Sequence, residues 1–369
     1  MQIASFNVEN LFDRAKAFSL EDEAAARVVL EQYTRINELF DAPAYTQADK
    51  AEMVELLAKL GLAQRDDGGD FALLRQNRGR LLRRPLQGNT EIIANGRADW
   101  IGWVELNTES VNELAMQHTA MVVRDVAADV QAVVEADNRV ALKRFSGVAL
   151  EAVGGSPYNH VMLIDGNDDR GIDVALMTRT GHEIVAIASH VDDTDAKGEI
   201  FSRDCPEYTI ATPAGERIVL LVNHLKSKGF GRQSSSNNKR ERQARRVAQI
   251  YRRLSAEGQT NVIVLGDLND TPGSAPLAPL LAKTDLRDIT THPKFTSDGR
   301  PGTFGNGAAS NKIDYILLSP PLFQRVNGGG IFRKGVWGGK NGTLFPHYPT
   351  ITRAVEAASD HAAVYADIT

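Results

Sequence analysis

The stretch Val262-Ile263-Val264-Leu265-Gly266-Asp267-Leu268-Asn269-Asp270-Thr271-Pro272 carries the decisive pattern of this chain. Four consecutive aliphatic residues predict a strand, and the Gly, Asp, Asn and Pro that follow predict a turn. A strand that runs out of the core onto Asp267 and Asn269 sets a carboxylate and a carboxamide at a sheet edge. Taken alone, the segment reads equally well as an ordinary turn.

The same figure recurs along the chain. Residues 2–7 alternate and finish on Asn7, residues 130–134 finish on Glu135, and residues 218–223, ending on Asn223, are followed by His224. Asp314 stands at the head of an apolar run, and Ser359-Asp360-His361 directly precedes the last one, residues 362–368. Polar groups at the ends of strands scattered in sequence converge in space, so these positions can build one site. A hard divalent cation takes a few oxygen ligands and keeps room for a phosphate, which matches this inventory.

Further apolar runs at 160–164, 172–177 and 184–188 predict strands, while 110–128 and 237–254 carry helical spacing. Many strands with few intervening helices imply a layered α/β protein with mixed or antiparallel sheets. Residues 20–62 read as helical until Asp66-Asp67-Gly68-Gly69-Asp70 breaks the pattern, and 98–106 is strand-like.

Composition bounds the class. The chain has 369 residues, 42% hydrophobic and 24% charged, which is ordinary for a globular protein and excludes an extended disordered chain. No run approaches the roughly 18 apolar residues of a membrane span. The single cysteine, Cys205, excludes an internal disulfide and a thiolate zinc site, so any metal sits on oxygen or imidazole ligands. No export signal precedes the first strand, so a cytoplasmic location is expected, with no stable membrane association. No protein partner is inferable.

The net charge of −5 does not announce a nucleic-acid binder, but two clusters are basic. Lys239, Arg240, Arg242, Arg245, Arg246, Arg252 and Arg253 share one helix with few acids, and Arg75, Arg78, Arg80, Arg83 and Arg84 form a second group. Such stripes either track a phosphate backbone or form a solvated face with packed arginine stems. They tilt the reading toward DNA as substrate. No aromatic hairpin of the membrane-binding kind is evident, Phe230 and Trp337 being the aromatics open to exposure.

SFNVENL near the start, then VVEADN, DVALMTR, VNHLKSK, VIVLGDLNDTP, KIDYILLS and SDHAAV, in that order, resemble the endonuclease/exonuclease/phosphatase superfamily, which includes deoxyribonuclease I and sphingomyelinases. The resemblance covers about the first 13 residues and the chain from about Ser110 onward. It implies a four-layer α/β sandwich, two packed mixed sheets flanked by helices, and metal-dependent phosphoester hydrolysis with Mg²⁺, or Mn²⁺ in its place. It also implies roles. Asn7 and Glu135 would hold the cation, with Asp360 as a further ligand. Asp267 and Asn269 would orient the attacking water and a phosphate oxygen, and Asp314 would hydrogen-bond His361, the base or phosphate contact. His224 would contact phosphate or protonate the leaving group, while Asn223 and Arg179 would contact phosphate.

Glu135 lies farther from Asn7 than is usual in that superfamily, which implies a single domain over 1–369 with a long, partly helical insertion at about 14–109. Glu105 is therefore a rival ligand. Glu135 is preferred because its strand follows a helix and leads into Ala136-Asp137-Asn138-Arg139. The resulting expectation is an endonuclease acting on DNA with little sequence preference, the alternative being a phosphatase or phosphodiesterase for a small-molecule or lipid phosphoester.

Overall fold

The computed structural model describes residues 1–9, 13–15, 23–85, 88–110, 112–168, 170–228 and 233–369. The chain divides into two compact units, the first comprising Met1–Phe12, Val111–Lys228 and Ser234–Thr369, the second Asp13–Ser110 and Gly229–Gln233.

The first unit contains strands β1 (Gln2–Asn7), β2 (Val130–Ala136), β3 (His160–Leu163), β4 (Asp173–Thr178), β5 (Glu183–Ala188), β6 (Glu207–Ala211) and β7 (Arg217–His224). These are followed by β8 (Val262–Asp267), β9 (Arg287–Asp288), β10 (Phe295–Thr296), β11 (Asp314–Leu318), β12 (Val326–Phe332) and β13 (Ala363–Ile368). Its main helices are α1 (Glu113–Val126) and α2 (Gln233–Ala256). Seven strands form one sheet in the order β10-β12-β13-β1-β2-β4-β3, and six form a second in the order β5-β6-β7-β8-β11-β9. Both sheets are mixed, as expected: β1–β2 and β7–β8 run parallel, and their other neighbours are antiparallel.

Period-two alternation distributes side chains between layers. Ile218, Leu220 and Val222 of β7 pack with Ile263 and Leu265 of β8 against Ile3, Val130, Ala132 and Val134 of the other sheet. Val219, Leu221, Val262 and Val264 point the opposite way, onto Ala244, Val247, Ala248 and Tyr251 of α2. Ala4, Phe6 and Val133 face Ala120, Val123 and Val126 of α1. The layers are helix, sheet, sheet, helix. Central strands are covered on both sides, so they appear in sequence as unbroken aliphatic runs.

Besides the two-residue strands β9 and β10, two strands of the sheets escape the sequence pattern. Val326–Phe332 contains Gly328-Gly329-Gly330, which present no side chain to alternate; a Cβ on Gly329 would stand 2.8 Å from the Tyr365 carbonyl oxygen. Glu207–Ala211 is short and begins on a charge.

In the second unit the helical pattern at 20–62 resolves into two helices, Glu23–Phe40 and Gln47–Lys59, with residues 20–22 outside the described set. Pro43 disfavours helix at the residue before it, and Thr46 restarts one through a capping box with Asp49. Strands Ala72–Arg78 and Ile101–Leu106 pair antiparallel, and Ile36, Phe40, Met53, Leu57, Trp100 and Val104 are buried in this unit's own core.

Five of the seven basic residues of the α2 stripe pair with carboxylates. Arg240 is fully buried and bridges Asp270 at 2.9 Å. Arg246 meets Asp193 at 2.7 Å, and Arg242, Arg245 and Arg253 pair with Asp195, Glu241 and Glu207. In the second cluster Arg75, Arg83 and Arg84 engage Glu105, Glu91 and Asp66. Phe230 lies outside the described residues, and Trp337 is half-buried, stacked on His347. No helix among the described residues is long and apolar enough to cross a membrane.

Candidate functional site

Strand direction decides which polar ends meet. β1 and β2 run parallel with Asn7 level with Val134, one residue before Glu135, while β7 and β8 run parallel with His224 level with Asp267. β11 runs antiparallel to β8 and brings Asp314 opposite Asp267. His361 lies just before β13 and forms a bridge with Phe304. Asn7, Glu135, His224, Asp267, Asn269, Asp314 and His361 thereby gather in the first unit.

The contacts are close. The Asn7 side-chain amide lies 3.3 Å from Glu135 Oε1 and 3.4 Å from Asp267 Oδ2. Asn269 donates to Asp267 from its backbone at 2.8 Å and from its side chain at 3.1 Å. His361 Nδ1 and Asp314 Oδ2 are 2.9 Å apart, and the Thr303 hydroxyl donates to the same oxygen at 2.6 Å. His224 Nε2 sits 3.6 Å from Glu135 Oε1 and 3.7 Å from Asp267 Oδ2, while its buried Nδ1 has no hydrogen-bond partner among the described residues. Of the four described non-glycine residues with left-handed backbone, Glu135 and Asn269 belong to this cluster, Glu9 donates its backbone N–H to Asn7 Oδ1 at 3.1 Å, and Ala127 ends α1. Such conformations cost about 1–3 kcal/mol each and persist where surrounding structure enforces them. Gly266 has φ +124°, and a Cβ there would stand 2.0 Å from the Asn223 carbonyl oxygen, so the residue before Asp267 must be glycine.

Burial and charge set the protonation states. Burial, reinforced by the neighbouring Asp314 charge, pushes the Asp267 carboxyl up to about 7. Burial opposes charging His361, but Asp314 and Asp360 outweigh it and hold the ring as imidazolium well above its ordinary range. His224 goes the other way: burial, then the positive charges of Arg203 and Arg170, push it well below, so it is neutral. Two histidines in one site therefore carry different charge states.

Asp267, Asp314 and His361 offer ligand atoms all within 4.8 Å of one another. Buried carboxylates held this close repel one another, and the Glu135 carboxylate adds a hard oxygen donor beside Asn7, whose Nδ2 faces Glu135 and Asp267 while its Oδ1 accepts from the Glu9 backbone. The carboxylate oxygens of this set fit a divalent cation, while His361, held as imidazolium by Asp314, offers it no lone pair. Asp360 is adjacent to His361, its side chain nearly half exposed and 3.6 Å from His361 Nε2, and it lies outside the tight trio.

Two expected phosphate contacts are placed differently. Asn223 is buried beside His224, but its amide donates to the Leu221 carbonyl at 2.9 Å. Arg179 follows β4, which is antiparallel to β2, so it emerges at the strand end remote from Glu135. There it donates to the Ala128 and Ser156 carbonyls at 3.1 and 3.0 Å and covers the Tyr158 ring. Arg179→Ala is expected to leave kcat/KM within about twofold and to lower unfolding stability by about 1–2 kcal/mol, read by chemical denaturation. Sequence reading passed over Arg203, which is buried 3.2 Å from Asp168 and whose charge is felt by His224, and over Thr303, which holds Asp314. Neither stands at the end of an apolar run. Glu105 lies in the second unit, half exposed, and is bonded by Arg75 at 2.6 Å.

A family model described as the Endonuclease/Exonuclease/phosphatase family matches residues 83–296, a span that holds Glu135, His224, Asp267 and Asn269. Among solved structures the chain is similar to a mannosyl-6-phosphatase of Bacteroides thetaiotaomicron, 18% identical over 69% of this chain and 91% of that one, with a TM-score of 0.50. It is also similar to an endonuclease/exonuclease/phosphatase family protein of the same organism, 19% identical over 69% and 86%, with a TM-score of 0.50. At these identities the likeness is one of fold. No curated protein matches the chain.

Proposed function

The chain belongs to the endonuclease/exonuclease/phosphatase family, hydrolases of phosphoester bonds that are generally dependent on a divalent metal, and on that premise we propose that it hydrolyses a small-molecule or lipid phosphoester with Mg²⁺ as cofactor. The observation that carries the reading is the convergence of Asp267, Asp314 and His361 within 4.8 Å, beside Asn7 and Glu135. The preference for a small phosphoester over DNA rests on the ion pairs of α2: Arg240, Arg242, Arg246 and Arg253 already face Asp270, Asp195, Asp193 and Glu207, which leaves fewer cations to displace the counterions condensed on a nucleic acid. In this reading residues 1–369 form one such domain, and 14–109 are an insertion in it.

Asn7 and Glu135, with Asp360, would hold the cation. When bound, it supplies electrostatic stabilisation of the charge that builds on the non-bridging phosphate oxygens. Asp267, near neutral pKa and oriented by Asn269, accepts the proton of the attacking water as the new P–O bond forms and the ester P–O bond breaks. The leaving oxygen takes up a proton from solvent. The imidazolium of His361, its Nδ1 fixed on Asp314, donates from Nε2 to a phosphate oxygen, and neutral His224 supplies a second donor.

The substrate is tested by offering bis(p-nitrophenyl) phosphate, p-nitrophenyl phosphate and supercoiled plasmid side by side with Mg²⁺. Turnover of the small esters with little nicking is expected. Nicking that dominates and falls steeply with salt would return the substrate to DNA.

A further inference from the structure

The open edge of the sandwich carries a second feature that the catalytic cluster does not use. β3 and β5 are the terminal strands of their respective sheets, and between them lies a groove of about 280 Å³. Arg139, Lys143 and His160 line it, and no carboxylate does. Val161, Met162, Ile184 and Ile187 supply aliphatic walls. Arg139 uses its Nε on the Val161 carbonyl at 2.8 Å, which fixes the guanidinium in the groove. Among the described residues no hydrogen bond or ion pair engages the side chains of Lys143 or His160.

Of the groove's aliphatic residues Ile187 is 37% exposed, on β5, an edge strand whose only charged residue is Glu183. Edge strands are normally protected by charge or by a cover, and this one has neither along Ile184–Ala188. A lysine without a partner among the described residues, next to a guanidinium and aliphatic walls, matches a ligand with an anionic head and an apolar body.

We propose that this groove binds an anionic amphiphile, its phosphate or carboxylate on Arg139, Lys143 and His160 and its hydrocarbon over Ile184 and Ile187. The head group is the shared chemistry of a free amphiphile and of a lipid in a membrane. Binding here is independent of the hydrolytic reading, because it is measured without turnover.

The test uses the full chain and two probes. Dioctanoyl phosphatidic acid below its micelle concentration is titrated by calorimetry, and sedimentation is measured with phosphatidylcholine vesicles prepared with and without phosphatidic acid. Lys143→Glu and Ile187→Ser are both at exposed positions, so their melting curves should overlay the parent's. Lys143→Glu is expected to weaken binding at least about tenfold, Ile187→Ser by a smaller factor, and dioctanoylglycerol is expected to bind at least about tenfold more weakly than the phosphatidic acid. Loss of monomer binding in Lys143→Glu supports a free amphiphile as the source; loss confined to acidic vesicles supports a lipid surface. Absence of saturable binding to both probes, unchanged affinity in Lys143→Glu, or equal affinity for dioctanoylglycerol overturns the proposal.

Discussion

His361→Ala is expected to lower kcat by about 10²–10⁴ while KM for bis(p-nitrophenyl) phosphate stays within a few-fold. The ring is buried, its Nδ1 engages Asp314, and its Nε2 is the end left for substrate. Removing it leaves Asp314 the Thr303 hydroxyl as partner, so the variant should still fold, which a melting curve checks. A purely structural histidine would instead lower stability and spare the kcat of the folded fraction. The pH profile separates the roles further. Asp314 raises the His361 pKa, so the imidazolium is present at neutral pH and is lost only as pH rises through its elevated value. Asp314→Asn removes that support, and the alkaline limb of kcat should move to lower pH. An unmoved limb would mean that the limb belongs to another group.

The second large effect is expected at the cation. Glu135→Gln replaces a carboxylate with an amide of nearly the same shape, retaining volume while removing a charge that a divalent ion requires. Metal-dependent turnover should fall by at least about 10²-fold, and the Mg²⁺ concentration for half-maximal rate should rise. Glu105→Gln should remain within about twofold, because Glu105 is a half-exposed partner of Arg75, and solvent screens such a surface ion pair. Comparable losses in both variants, or the reverse order, would contradict the assignment of Glu135.

Much of this arrangement was legible in sequence because buried central strands are long, aliphatic and end on polar groups. Val262–Asp267 and Arg217–His224 announce both their burial and their polar ends. Strand direction was not legible. Arg179 follows an apolar run as Glu135 does, yet antiparallel pairing carries it to the opposite end of the sheet. Three consecutive glycines hid Val326–Phe332, whose place beside β13 is decided by close backbone approach and not by side-chain pattern. Pro43 and the Thr46 cap divide a helical pattern that hydropathy alone joins. The partners of the arginine stripe are remote in sequence: Asp193 and Asp195 precede Arg242 and Arg246 by about fifty residues, so the stripe looked unpaired until the fold closed it. Arg203 and Thr303 support the site from loops, where no periodicity marks them.

The central claim is that the Asn7, Glu135, Asp267, Asp314 and His361 cluster is one metal-dependent phosphoesterase site. The most direct measurement is hydrolysis of bis(p-nitrophenyl) phosphate by protein stripped with EDTA, dialysed, and then titrated with Mg²⁺ or Mn²⁺. The account predicts no turnover after stripping and saturable recovery on metal addition, with no recovery in Glu135→Gln over the same range. Turnover that persists in the chelator, or that returns equally in Glu135→Gln, would contradict it.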